Sequence, residues 1–222
     1  METLRLTPEA ALDYLLGEAG KLAAAAGGRR VAIGLAGGPG VGKSTLAAEL
    51  VEALNGGVPG SAALVPMDGF HMKHAKLEAM GQVDFKGAPH TFEGGAFVAF
   101  LRGLKAATGA VSGPVYSRKI EDTVEDAFTV APEVKVLVVE GNYLLLGEAP
   151  WDEAKSALDL AVFVTVPRDL VGARLLKRHG EEGLFSEERN RAHIARTDLP
   201  NYDLVETSRD RADVVIALDV SA

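Results

Sequence analysis

The chain has 222 residues and no cysteine, and its 23 Lys+Arg against 31 Asp+Glu give a net charge of −8. Hydrophobic residues make up 47% and charged residues 24%, which is typical of a globular protein and excludes a disordered, collagen-like or coiled-coil chain. The lack of cysteine excludes a disulfide framework, a thiolate metal site and a catalytic thiol. The acidic balance argues against nucleic acid as a partner.

No segment has the composition of a membrane span. The longest uncharged run, 53–67, is interrupted by Asn55, Pro59 and three glycines, whereas a spanning helix needs about 20 apolar residues. The first five residues lack the basic start and apolar stretch of a signal peptide. We therefore expect a soluble, cytoplasmic protein that forms one domain over residues 1–222 and has no membrane partner.

Helical and strand patterns alternate along the chain. Thr7-Pro8-Glu9 predicts the start of a first helix. Further helical patterns lie at about Lys43–Leu54, Glu93–Ala107, Arg168–His179 and Ser186–Arg196. Continuous apolar runs predict five strands, at Val31–Ala36, Ala62–Met67, Lys135–Glu140, Leu160–Val166 and Asp213–Leu218.

This order predicts an α/β fold in which a doubly wound parallel five-stranded sheet has helices on both faces. The segment 69–132 is the longest excursion between two core strands, and it carries one helical pattern and several turn signals. We expect it to be a substrate-binding insertion rather than a separate domain.

The strongest motif is Gly37-Gly38-Pro39-Gly40-Val41-Gly42-Lys43-Ser44-Thr45, which fits the P-loop pattern G-x-x-x-x-G-K-[ST] between a strand and a helix. Its glycines allow successive backbone N–H groups to turn toward one anion, and the helix N-terminus adds positive potential. We expect Lys43 to reach the β- and γ-phosphates of ATP and Ser44 to be a ligand of Mg²⁺. The candidate nucleotide-binding residues here are Gly37, Gly38, Gly40, Val41, Gly42, Lys43, Ser44 and Thr45.

Two carboxylates follow predicted strands. Asp68 comes after the second strand and Glu140 ends the third. Because ligands of open α/β sheets lie beyond the carboxyl ends of the strands, both acids are expected near the P-loop. Phosphoryl transfer needs an acid that organises the metal and a group that orients or deprotonates the acceptor hydroxyl. We assign Glu140 to the first role and Asp68 to the second, with an Asp-Gly turn and a turn-capping acid as the structural alternatives.

These motifs resemble the phosphoribulokinase, uridine kinase and pantothenate kinase superfamily. The resemblance covers about Val31 to Leu218 and rests on the P-loop, on Asp68-Gly69-Phe70-His71 and on Val139-Glu140-Gly141-Asn142-Tyr143. Within the superfamily, the segments Pro66–His71, Lys86–Phe92 and Glu140–Leu146 resemble a bacterial subgroup labelled nucleoside or nucleotide kinase-like, or fructose-transport-associated kinase.

The resemblance implies roles for several residues. It implies that Asp68 acts on the acceptor hydroxyl and that Glu140 assists Mg²⁺. Pro114-Val115-Tyr116 is similar to a segment that lies near the substrate in uridine kinases, and residues 174–179 look like the start of an Arg-rich lid. His71 stands where uridine kinases usually have Tyr, and Ala88-Pro89-His90 replaces their His-Pro step. Both departures argue against uridine as the acceptor.

Basic residues concentrate in the predicted insertion, which suggests an anionic acceptor, although His and Lys also donate to the hydroxyls of a neutral polyol. A solvated basic surface is the alternative, above all for Lys73, Lys76 and Lys119. A zinc site from the histidines is not expected because the spacing is wrong and cysteine is absent. The candidate substrate residues are Asp68, His71, Lys86, His90, Tyr116, Arg118 and Asn142.

A second basic segment, 174–200, is the expected lid. Arg174 and Arg178 are the candidates for neutralising phosphate charge in the transition state, and Gly180 and Gly183 could serve as hinges. An exposed helix with i,i+4 ion pairs is the alternative for Arg189 and Arg191. Asn201, Tyr202 and Arg211 resemble the end of the subgroup's lid, and the sequence assigns them no role.

The sequence therefore predicts a kinase, a monomer or homodimer, that moves the γ-phosphoryl group of Mg-ATP to a hydroxyl of a small sugar or sugar-like acceptor such as fructose. Nucleoside and pantothenate kinases remain alternatives for the acceptor. A nucleotide-dependent switch or transport ATPase is the alternative from another class, but the Asn-Lys-x-Asp motif that reads guanine is absent.

Overall fold

The computed structural model describes residues 2–183 and 186–219, so Leu184 and Phe185 of the expected lid lie outside the described residues. Eight strands are formed within these ranges: β1 (Glu2–Leu6), β2 (Val31–Ala36), β3 (Ala62–Pro66), β4 (Val111–Ser117), β5 (Asp122–Val130), β6 (Val136–Gly141), β7 (Leu160–Thr165) and β8 (Val214–Leu218). The α-helices are α1 (Pro8–Ala25), α2 (Lys43–Gly57), α3 (His74–Ala79), α4 (Gly94–Ala106), α5 (Arg168–Glu182), α6 (Glu187–His193) and α7 (Leu199–Glu206).

Six strands form one parallel sheet in the order β1-β8-β7-β2-β6-β3. β2 lies between β6 and β7, with Val31 opposite Val136 and Ile33 opposite Leu160. Every residue of β2 and β6 is buried because helices cover both faces of the sheet. This double coverage explains why the two strands are apolar throughout rather than alternating.

The five predicted strands are confirmed, but the predicted number of strands in the sheet is wrong. The sixth strand is β1, which pairs in parallel with β8 at the sheet edge. Its residues are exposed or half-buried, so its sequence has none of the continuous apolar character by which the central strands were recognised. The mostly parallel α/β architecture is as predicted.

Two other expectations need correction. The segment 69–132 contains two α-helices, α3 and α4, and not one. It also contains an antiparallel pair of strands, β4 and β5, that forms a separate sheet. The helix predicted over Ser186–Arg196 ends at His193 and continues as a π-helical turn, Ile194–Asp198, before α7. By contrast, α1 begins as expected, with the Thr7 hydroxyl accepting from the Ala10 N–H at 3.3 Å.

The hydrophobic core is divided by the sheet. On one face, α1 and α2 pack through residues such as Leu15 and Leu50. On the other, α4 packs with the 3₁₀ segment Trp151–Ala157, and the rings of Phe97 and Trp151 lie 6.0 Å apart. None of the helices in the described ranges is long and apolar enough to cross a membrane.

The turn after β3 approaches the β4–β5 hairpin so closely that it demands glycine. A Cβ added at Gly69 would lie 2.0 Å from the carbonyl oxygen of Pro114, which is backbone and cannot move aside. We expect Gly69→Ala to lower the free energy of unfolding by about 1–3 kcal/mol, as other overpacked sites do. Urea denaturation measures this loss.

Gly103→Ala is the matched control. Gly103 lies within α4, and an added Cβ there meets nothing within 4 Å. This variant should gain about 0.5–1 kcal/mol because alanine lowers the entropic cost of the helix. Equal effects of the two substitutions would contradict the close contact between the turn and the hairpin.

Candidate active site

The loop between β2 and α2 is shaped as an anion cradle. Gly37, Gly40 and Gly42 have φ values of 154°, 77° and 100°, which side chains rarely allow. A Cβ at Gly37 would also lie 2.3 Å from the Val164 carbonyl oxygen. Lys43 begins α2 and is 8% exposed. The loop therefore combines turned backbone amides, a helix N-terminus and a buried ammonium group at one point.

Glu140 reaches this cradle from the carboxyl end of β6. Its Oε2 accepts a hydrogen bond from the Ser44 hydroxyl at 3.0 Å, and the residue is 6% exposed. Burial raises the pKa of the Glu140 carboxyl, while the Lys43 charge and the Ser44 hydrogen bond favour the ionised form. Ser44 and Glu140 thus place two oxygen donors side by side, which is a donor set that suits Mg²⁺ together with phosphate oxygens.

Asp68 lies on the 3₁₀ turn Met67–Phe70 that follows β3. It lines a cavity of about 590 Å³ together with Lys43, Ser44 and Arg178. The sheet topology explains this proximity, because β3 and β2 both pair with β6 and all three strands end at the same edge. The two acids that sequence reasoning singled out are therefore brought to the same edge as the P-loop.

His71 stacks between two aromatic rings on the cavity wall. Its ring centroid lies 3.9 Å from that of Phe92 and 4.6 Å from that of Tyr116. The Nδ1 atom is 2.7 Å from the Asp68 carbonyl oxygen. Burial lowers the pKa of the His71 imidazole, although the nearby Asp68 charge opposes this. Packing and the lowered pKa together favour a neutral ring.

The structure places most of the predicted substrate residues on the cavity wall. Those that line it are Asp68, His71, Lys86, Tyr116, Arg118 and Asn142. His90 does not line it; its Nε2 lies 3.1 Å from Gln82 Oε1 and the residue is exposed. The Asn142 Oδ1 atom is buried and has no hydrogen-bond partner in the described ranges, so it is an acceptor available to a ligand.

Lys86 and its neighbour Gly87 are fixed by several contacts. The Lys86 ammonium lies 5.0 Å from the Tyr116 ring centroid and donates to the Glu121 carbonyl. Burial lowers the pKa of Lys86. The Gly87 carbonyl accepts from the Tyr143 hydroxyl and, at 3.1 Å, from Asn201 Nδ2. Asn201 thereby joins the end of the expected lid to the segment 69–132.

The segment from α5 to α7 lies against the P-loop. Arg174 Nη1 donates to the Val41 carbonyl at 3.4 Å, and Arg178 lines the cavity. Arg191 pairs with Glu187 at 2.7 Å, as the ion-pair alternative anticipated. Arg189 is exposed, and it also lines the cavity.

Sequence reasoning missed a largely buried pair in this segment. His179 Nε2 lies 3.1 Å from Asp198 Oδ2, and the His193 ring centroid is 5.9 Å from that of His179. All three residues line the cavity. The only sequence signal was the position of His179 next to Arg178, because the π-helical turn that carries Asp198 has no recognisable pattern.

Tyr202 and Arg211 occupy structural positions. The Tyr202 hydroxyl donates to the Val166 carbonyl at 2.9 Å, and its ring lies where a side chain at Gly38 would be. Arg211 donates to the carbonyls of Leu146 and Asp152, the latter at 3.0 Å. Tyr202 therefore packs on the P-loop, whereas Arg211 fastens the connection between β6 and β7.

The fold and the site define a class of protein, the small-molecule P-loop kinases, and the proteins that are similar in sequence belong to the same class. Residues 32–219 match the Phosphoribulokinase / Uridine kinase family, and the chain belongs to that family. A Schizosaccharomyces pombe protein named as a putative uridine kinase is 35% identical over 195 residues, which are 85% of this chain and 83% of that one.

Other similar proteins carry different substrate names. A pantothenate kinase of Streptomyces coelicolor is 36% identical over 153 residues, which cover 68% of this chain and 45% of that protein. The solved structure of a putative fructose transport system kinase from Silicibacter sp. TM1040 is 35% identical. It has a TM-score of 0.77 and covers 84% of this chain and 89% of that one. The comparisons thus identify a small-molecule kinase and leave its acceptor open.

The lowered pKa of His71 predicts a pH dependence of stability. The unfolded chain protonates His71 near its ordinary pKa of 6.5, whereas the folded chain protonates it only at lower pH. The folded state therefore has its full stability above pH 6.5 and loses free energy of unfolding as the pH falls below that value. Each unit by which the folded pKa lies below the unfolded one removes about 1.4 kcal/mol at low pH. We expect His71→Phe, which keeps an aromatic ring between Phe92 and Tyr116, to lose less stability on acidification.

Urea denaturation of both proteins between pH 8 and pH 5 tests this expectation. His193, whose pKa burial also lowers, contributes in both proteins and does not affect the difference between them. Parallel curves of unfolding free energy against pH would show that His71 is not the responsible group.

Proposed function

We propose that this kinase transfers the γ-phosphoryl group of ATP to a hydroxyl of a small sugar or sugar-like acceptor, with Asp68 as the group that orients and deprotonates that hydroxyl. The observation that carries this proposal is the position of Asp68, which faces the same cavity as Lys43, Ser44 and Arg178. A carboxylate across one cavity from a phosphate cradle is the arrangement that in-line transfer requires.

The nucleotide would be held by the P-loop amides and by the Lys43 ammonium. Ser44 and Glu140 would hold Mg²⁺, which supplies charge neutralisation on the phosphates when it is bound. The direct hydrogen bond between these two side chains supports the assignment, because it keeps two oxygen donors together at the helix N-terminus. Their donor chemistry fits a hard cation.

Each remaining step is assigned to a residue of this chain. Asp68 accepts the proton of the attacking hydroxyl, which makes the oxygen a better nucleophile. Arg178 and Arg174 provide positive charge near the phosphates, and such arginines stabilise charge on the transferred group. The segment 174–200 acts as a lid that excludes water, the competing acceptor.

The acceptor would bind between Asp68 and the segment 69–132, which we propose to be the acceptor-binding insertion of a single domain spanning 1–222. Asn142 Oδ1 is an available acceptor for a substrate hydroxyl. In a neutral His71 ring whose Nδ1 donates to the Asp68 carbonyl, Nε2 is the nitrogen suited to the same use. Lys86 and Arg118 add positive charge, which favours sugar derivatives that carry an acid group. His90 belongs to the segment 69–132 but is exposed outside the cavity, so we propose no direct contact between it and the acceptor.

The name of the Silicibacter structure supports fructose as one acceptor to test. The names of the S. pombe and S. coelicolor proteins support a nucleoside and pantothenate to the same degree. The proposal is therefore tested by measuring ADP release from Mg-ATP against a panel of sugars, sugar phosphates, nucleosides and pantothenate. We expect one acceptor class to raise turnover far above the acceptor-free rate, with Lys43→Ala as the inactive blank.

A panel without any response, combined with rapid acceptor-free hydrolysis, would favour the alternative of a nucleotide-dependent switch or ATPase. A strong response to uridine would instead contradict the expectation that His71 and Ala88 exclude uridine as the acceptor. The same assay with GTP in place of ATP defines the purine preference.

The role of Asp68 makes a separate prediction. Asp68→Asn keeps the size of the side chain but removes the proton acceptor, so we expect kcat to fall by about 10²–10⁴-fold. The dissociation constant for ADP should change little, because Asp68 is assigned to the acceptor and not to the nucleotide. Steady-state kinetics and calorimetry measure the two quantities.

Asp210→Asn is the matched control, since Asp210 is an exposed aspartate that, like Asp68, is the second residue of a 3₁₀ turn (Arg209–Arg211), but it does not line the cavity. It should retain wild-type kcat. If Asp68→Asn also retained its turnover, Asp68 would have no part in proton transfer.

A further inference from the structure

A second cavity lies at the opposite end of the sheet from the P-loop. It has a volume of about 690 Å³ and is formed by the α1–β2 connection, the end of α4 and the residues before β6. Arg30 and Lys135 immediately precede β2 and β6, so the cavity lies at the amino ends of the two central strands. The length of β2, about 20 Å for six residues, separates it from the P-loop.

The wall of this cavity is strongly cationic. No acidic residue of the described ranges lines it. Five lysine and arginine residues do: Arg29, Arg30, Arg102, Lys105 and Lys135. Two of these charges are neutralised from outside the wall, because Arg102 pairs with Glu153 and Lys105 pairs with Asp159, each at 2.7 Å. The charges of Arg29, Arg30 and Lys135 are left to dominate the cavity.

Arg30 is the central observation. It is only 5% exposed, and its guanidinium donates to the carbonyls of Leu104, Ala131 and Val134 at 2.8, 2.9 and 3.2 Å, with a longer contact to Gly109. All these partners are uncharged, and in the part of the chain that the structure describes Arg30 has no carboxylate within ion-pair distance. Its hydrogen bonds are satisfied while its charge is not, whereas buried charges are normally paired.

Arg29 and Lys135 lie at the exposed rim of the same cavity. Lys135 Nζ donates to the Gly28 carbonyl at 3.0 Å, which uses one of its three N–H groups. Within residues 2–183 and 186–219, the Arg29 side chain makes neither a hydrogen bond nor an ion pair. The rim therefore carries two charged donors on flexible side chains, Arg29 and Lys135, and the buried charge of Arg30 lies in the wall of the same cavity.

From this geometry we propose that the cavity is a second anion-binding site, which takes a small phosphorylated metabolite. The volume lies in the range of about 300–1,000 Å³ that small-molecule sites occupy. The protein as a whole has a net charge of −8, so a concave cluster of unneutralised cations is a local attractor in an otherwise repulsive field. A bound anion would supply the counter-charge that Arg30 lacks.

The test uses inorganic pyrophosphate as the probe and calorimetry as the readout. Because the P-loop is itself proposed to bind phosphates, all titrations use the 222-residue chain with Lys43→Ala in magnesium-free buffer. We expect pyrophosphate to bind this protein, and the further substitutions Arg29→Gln and Lys135→Gln together to weaken binding by about tenfold or more, as expected for loss of charged hydrogen bonds. Arg30 is left unchanged because its removal would unpair four carbonyls.

Two single substitutions serve as controls on the same background. Lys21→Gln removes an exposed charge of α1 that lies outside both cavities, and it should leave the affinity unchanged. Lys86→Gln removes a cation from the active-site cavity, and it should also leave the affinity unchanged. The proposal is overturned if pyrophosphate does not bind, if the double substitution has no effect, or if Lys86→Gln weakens binding instead. None of these outcomes depends on the assignment of the acceptor.

Discussion

The close packing around the P-loop is the constraint on which the rest of the site depends. A Cβ at Gly37, Gly38 or Gly40 would lie 2.3 Å from the Val164 carbonyl, 2.6 Å from the Tyr202 ring and 3.0 Å from Leu175, respectively. The loop is therefore enclosed by β7, α7 and α5. Close contact requires glycine at Gly37 and Gly38, and a positive φ favours it at Gly37 and Gly40. Its amides are held in a fixed orientation before any phosphate arrives, which is what electrostatic preorganisation requires.

The same packing links the two sides of the cavity. Because α5 and α7 pack against the P-loop, the backbone positions of their cavity-lining side chains are fixed relative to that loop. Arg174 contacts the P-loop carbonyl of Val41, and Asn201 contacts the carbonyl of Gly87 in the segment 69–132. The P-loop and the segment 69–132 thus contact one shared segment of chain, so movement of that segment would alter both together.

The parts of this architecture that the sequence predicts are those encoded locally. The P-loop is one continuous motif, and buried central strands are apolar at every position, so both are recognisable without knowing their neighbours. Asp68 and Glu140 were predictable because parallel strands end at a common edge. β1 was not, since an edge strand is half-exposed and its partner, β8, lies at the other end of the chain. The His179–Asp198 pair depends on a π-helical turn, for which sequence has no pattern.

The distribution of charge along the central strands has a physical explanation. β2 and β6 are buried at every position, so polar chemistry is confined to their ends. At the carboxyl ends, Glu140 is held by Ser44 beside the P-loop. At the amino ends, Arg30 donates to the Leu104 carbonyl in the last turn of α4, where the negative end of that helix favours a cation, and to three carbonyls outside the helix. Those carbonyls stabilise the guanidinium without cancelling its charge, and that residual charge is what distinguishes the amino-end cavity from an ordinary basic surface.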